Sequence, residues 1–85
     1  MTTNAANYAD LNNWFSIRRG DGLDVLRSKD SKCEIRSYRD EVSGERVYDL
    51  YYQRPGSLGA MAFGDTYQSS QTAAEAAPGL FEVSR

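Results

Sequence analysis

The 85-residue chain predicts an α+β domain: an antiparallel β-meander of about four to five strands, with one short helix packed on a face and a short N-terminal helix. Three observations carry that expectation. Between Leu23 and Gln53, β-rich runs alternate with turn clusters at hairpin spacing. Residues 69–77 are alanine-rich, opened by serine and threonine and followed by Pro78-Gly79. A chain of this length holds one core and buries roughly 60–65% of the surface its unfolded form exposes. The expected organisation is a disordered segment over 1–6 and a single domain over 7–85.

From Asn7 to Arg19 two patterns compete. Tyr8, Leu11 and Phe15 recur at helical spacing, with Asp10 early, Arg18 and Arg19 late and Gly20 as a stop. Phe15 and Ile17, however, alternate with Ser16 and Arg18 as a strand would, and two asparagines interrupt the helix. The favoured reading is a short helix over about 7–13 that passes into a strand near Trp14. Gly20-Asp21-Gly22 is a tight turn, followed by a short strand over Leu23–Ser28. Cys33 to Arg39 alternates Cys33 and Ile35 with Glu34 and Arg36, and Arg46 to Gln53 is rich in Val, Leu and Tyr. The Ser43-Gly44 pair between them predicts an antiparallel hairpin. Arg54-Pro55-Gly56-Ser57 ends it, since proline cannot donate to a ladder. A further strand is expected over Leu58–Phe63. The alanine-rich helix follows over about 69–77, with capping-box spacing between Thr72 and Glu75 and a stop at Pro78-Gly79. Leu80 to Val83 reads as a final edge strand.

Composition excludes most chemistry. There is no histidine, hence neither the commonest metal ligand nor the commonest general base. A single cysteine, Cys33, forms no intramolecular disulfide and has no histidine to activate it; its phase with Ile35 predicts a small buried apolar residue. One Cys without His does not make a zinc site, and Asp21-Gly22-Leu23-Asp24 lacks the calcium-loop pattern. Gly20-x-Gly22 and Gly56-x-x-Gly59 carry no phosphate-loop context. The acids Asp40, Glu41, Glu45, Asp21 and Asp24 flank turns, where solvated carboxylates usually lie. The expectation is a protein that is not an enzyme and uses no cofactor or metal. No apolar run nears the roughly 18–20 residues that span a membrane, and Met1–Ala6 has no signal-peptide pattern. With a lone cysteine, this points to the cytoplasm, and the partner considered below makes it that of a bacterial host cell.

What stands out is eight arginines to two lysines, alongside six tyrosines. Tyr, Trp and Arg concentrate at the centres of protein interfaces. Tyr48, Tyr51 and Tyr52 fall on both faces of one expected strand, so at least one of them points away from the core. The partner-binding residues are expected among Arg36, Tyr38, Arg39, Tyr48, Tyr52 and Arg54. The same arginines and tyrosines suit a sheet that binds RNA or single-stranded DNA. Charge argues against direct nucleic-acid binding: residues 16–54 hold nine bases but eight acids, and alternating signs cancel the field that phosphate requires. That interleaving suits cross-strand ion pairs on a solvated face.

In its small size, mild acidity (net charge −2), order of elements and surplus of Tyr and Arg, the chain resembles the small proteins with which phages block host defence complexes, anti-CRISPR proteins among them. The resemblance is one of profile and carries no motif. It implies a stoichiometric inhibitor that sterically occludes a larger bacterial nucleic-acid-handling complex. The alternatives are the nucleic-acid-binding sheet, or a minor subunit of a phage assembly in which the strand over 80–83 pairs with a neighbour's sheet edge.

Overall fold

In a computed structural model, which describes residues 7–20, 22–54 and 59–83, five antiparallel strands follow one another across a single sheet in chain order. They are β1 (Trp14–Arg18), β2 (Leu23–Ser28), β3 (Cys33–Arg39), β4 (Arg46–Tyr52) and β5 (Ala62–Tyr67). One helix, α1 (Ser70–Val83), packs on β3, β4 and β5. The α+β meander with a helix on one face is therefore the architecture of the molecule, and a 3-10 turn over Leu11–Asn13 stands where the N-terminal helix was expected. The expected disordered segment 1–6, the Pro55-Gly56 turn and Asp21 lie outside the described residues.

The β2–β3 and β3–β4 hairpins are closed by local chemistry. Between β3 and β4, the Asp40 amide donates to the Glu45 carbonyl (2.8 Å), and Asp40 accepts from the Ser43 amide through Oδ2. Gly44 there takes φ +76°, a left-handed conformation that disfavours any side chain. Between β2 and β3, Asp30 Oδ1 receives the Ser28 hydroxyl at 2.7 Å and the Lys32 amide at 3.1 Å. Tyr8 ties the N-terminal segment down. Its hydroxyl donates to Asp30 Oδ2 (2.6 Å), and its carbonyl accepts from Trp14 Nε1 (2.8 Å). Burial first, then that bond to a carboxylate, pushes the Tyr8 hydroxyl well above its ordinary range.

The core lies between sheet and helix. Trp14, Cys33, Ile35 and Leu50 face Ala73, Ala74 and Ala77, all buried, with Leu26, Tyr48, Tyr52 and Tyr67 packed around them. Alanine on the helix lets it approach the sheet closely, which offsets its shortness. Cys33 is fully buried, as its phase with Ile35 predicts.

Two boundaries differ from expectation. The fifth strand is Ala62–Tyr67, not Leu58–Phe63: Gly59 takes φ +95°, outside the extended region, and Tyr67, Thr66 and Phe63 pair with β4 around an irregularity at Leu50/Tyr51. The helix does not stop at Pro78-Gly79 but continues to Val83, so Leu80–Val83 is helical and not an edge strand. Pro78 and Gly79 are exposed while Ala77 is buried. The proline ring thus lies on the solvent side of the helix and leaves the alanine contact with the sheet undisturbed. An assembly through pairing of residues 80–83 as a strand loses its basis. The helix start agrees with expectation: the N-cap is Ser69, whose hydroxyl accepts from the Thr72 amide (3.1 Å), although Glu75 accepts from Gln71 and forms no capping box with Thr72. Among the described residues no helix is long and apolar enough to cross a membrane.

Candidate functional site

Alternation along five paired strands builds two faces, and α1 covers only one. On the other, the register aligns one residue from every strand in a single transverse row: Phe15, Arg27, Glu34, Tyr51 and Phe63. Four inter-strand steps put the two phenylalanines about 19 Å apart. Each is 54% exposed, although both are large apolar side chains on ordered strands. A second row, Arg18, Val25, Arg36, Asp49 and Thr66, runs beside the first, and Tyr38 pairs with Leu23 and Val47 beyond it. Among the described residues no element packs over this side of the sheet.

The centre of the face is held rigid by charge. Glu34 is only 7% exposed and uses both oxygens: Oε2 accepts from Arg27 (2.6 and 3.1 Å) and Oε1 from Arg36 (3.0 Å). Burial pushes this carboxyl up, but the hydrogen bonds and charges of the two guanidinium groups outweigh it and hold it below the usual glutamate range. The Arg36 guanidinium also lies 4.0 Å from the centre of the Tyr51 ring, and Tyr51 meets Phe63 edge-on at 5.5 Å. Asp49, 8% exposed, accepts from the Thr66 hydroxyl at 2.7 Å and bonds to Tyr38, whose hydroxyl that carboxylate raises above its ordinary range. Two buried acids thus hold an array of guanidinium and aromatic groups in place, and the arrangement presents planar surfaces without an uncompensated charge.

The structure divides the six residues expected at the partner-binding site. Arg36 and Tyr38 stand on the uncovered face. Tyr48 and Tyr52 lie on the helix side, half-buried against the core. Arg39 pairs with Arg46 on that same side, at the sheet's end, and reaches the Gly44 carbonyl (2.6 Å). Arg54 is exposed in the segment after β4. The tyrosine of β4 that points away from the core is Tyr51. Phe15, Arg27, Tyr51 and Phe63 were not among the expected site residues. The Phe15/Ser16/Ile17 alternation carried the signal for the first, whereas Phe63 depended on a strand boundary four residues further along.

The Cys33 thiol is pushed up to about 12 by burial and then by the Asp30 charge, and among the described residues no group of His, Cys, Asp and Glu could hold a metal ion. Set against protein-family models, curated proteins and solved structures, the chain matches none of them.

Proposed function

We propose that this protein is a non-enzymatic binding domain that recognises a protein surface through the uncovered sheet face. In this reading it acts as a stoichiometric inhibitor, in the manner of phage-encoded anti-CRISPR proteins, by covering a working surface of a larger bacterial nucleic-acid-handling complex. The observation that carries the reading is the row from Phe15 to Phe63: two half-exposed phenylalanines flank a centre in which Arg36, Tyr51 and Arg27 are already fixed. Large side chains with few rotors, held before binding, lose little entropy when a partner arrives. Aromatic and arginine groups of this kind supply most of the energy of protein interfaces.

Charge favours a protein over nucleic acid. Arg27 and Arg36 are matched by Glu34 and Asp49 at the centre of the two rows, and Arg18 at the β1 edge is the one further base in them, so the face carries no clustered positive charge. Phosphate binding draws on clustered positive charge and weakens steeply with salt. The test is capture of partners by the tagged chain, with and without nuclease, at about 50 and about 200 mM salt. The expected result is a stoichiometric protein partner retained under all four conditions. A bound set that vanishes with nuclease or with the added salt would overturn the reading in favour of a single-stranded nucleic-acid-binding sheet.

A further inference from the structure

The helix leaves part of its own side of the sheet open. Its first residue, Ser70, stands beside Tyr48 and Ile35, while Ser16 on β1 and Leu26 on β2 lie beyond. The gap is a cleft of about 200 Å³. Its apolar lining comes from Leu26 and Ile35, its polar wall from Arg46, Asp24 and Ser37, and Arg19 stands at its margin. Arg46 is immobilised there. Nε donates to the Ser37 hydroxyl (2.7 Å) and Nη2 to Asp24 Oδ2 (3.0 Å), while Nη1 makes no hydrogen bond among the described residues. Asp24 is fixed from its other oxygen by the Gly20 amide (3.2 Å). Arg19 is exposed and forms no ion pair among the described residues. Two guanidinium groups against one carboxylate leave the cleft with an excess of one positive charge above an apolar floor.

We propose that this cleft binds a small organic carboxylate, its anionic head on Arg19 and Arg46 and its short apolar body on Leu26 and Ile35. Arg19 presents the planar guanidinium fork that a carboxylate matches, and Arg46 adds Nη1, since its Nε and Nη2 are taken by Ser37 and Asp24. Arg46 is preorganised by Ser37 and Asp24, so only Arg19 has to be ordered on binding. The volume lies below the roughly 300–1,000 Å³ of pockets for drug-sized ligands, which sets the size class. The site is on the opposite side of the sheet from Phe15 and Phe63 and is independent of the function proposed for that face.

The test is an NMR titration of the ¹⁵N-labelled full chain with sodium hexanoate, sodium benzoate and inorganic phosphate, against sodium chloride at matched ionic strength. Expected are saturating shifts of the Ser16, Leu26 and Ser70 amides with the two carboxylates and none at Phe63. Phosphate, lacking an apolar body, should bind more weakly. Arg19→Gln should weaken the carboxylates about tenfold, the loss of one charge-assisted hydrogen bond, and Arg19→Glu should abolish saturation. Arg19 is exposed, so both variants fold. Shifts that sodium chloride reproduces, equal affinity in Arg19→Gln, or phosphate binding as tightly as hexanoate would each overturn the proposal.

Discussion

The two sides of the sheet are built from the same five strands and differ in what covers them. Beneath α1 the side chains are small or compact: Cys33, Ile35 and Leu50 meet Ala73, Ala74 and Ala77, and none retains more than a trace of exposure. On the other side the side chains are large and planar, two acids are buried without a covering element, and both phenylalanines of the central row stay half in water. One side gains stability by excluding solvent from apolar area. The other holds its shape by satisfying Glu34 and Asp49 with arginine, tyrosine and threonine, which leaves apolar area free for a partner. Alternation alone separates a face that stabilises the fold from the one proposed to meet a partner.

Substitutions should separate the sides, and the largest effects belong under the helix. Leu50→Ala removes a fully buried side chain from the centre of β4 and should cost about 2–5 kcal/mol in urea unfolding. A cost below about 1 kcal/mol would mean that the helix does not seal this face. The same seal shields Cys33. With its thiol pushed up to about 12, labelling of the native protein at mildly alkaline pH should run at least about a thousandfold slower than in urea. Comparable rates would show that α1 opens readily.

On the uncovered side the expected stability effects are smaller and electrostatic. Glu34→Gln weakens both arginine contacts and should cost about 1–3 kcal/mol. Its carboxyl is held low in the fold, so the native state binds fewer protons than the unfolded chain just below the ordinary glutamate value of about 4.3. The stability Glu34 contributes is therefore present above that value and lost as pH falls through the depressed folded value. Asp30, where hydrogen bonds led by Tyr8 outweigh the effect of burial, adds to the loss in the same direction. Unfolding midpoints should drop on acidification, and Glu34→Gln should flatten part of that slope. An unchanged slope would show that the triad of Arg27, Glu34 and Arg36 stabilises little.

The strands from Leu23 to Tyr52 were legible because local signals agree: alternation, β-branched and aromatic residues, and a glycine at a left-handed turn position. The helix was legible at its start but not at its end. Pro78-Gly79 is a strong stop locally, yet it sits on the exposed side of a helix whose alanine face continues inward, and only the packing reveals that. Of the candidate face, Arg36 and Tyr38 were named from residue type. Tyr48 and Tyr52 were placed with them because composition does not say which side a helix will cover. The transverse row required the register of all four pairings, including the irregularities at Ser16/Arg18 and Leu50/Tyr51, and no one strand carries that information.

The most direct test of the contrast is a paired measurement on Phe15→Ala/Phe63→Ala, two half-exposed positions whose truncation should cost about 1–2 kcal/mol in urea unfolding, less than Leu50→Ala. The account predicts that this variant stays folded and unfolds cooperatively but no longer retains the nuclease-resistant partner that the wild-type chain captures. Retention of that partner at wild-type levels, with the fold intact, would contradict it.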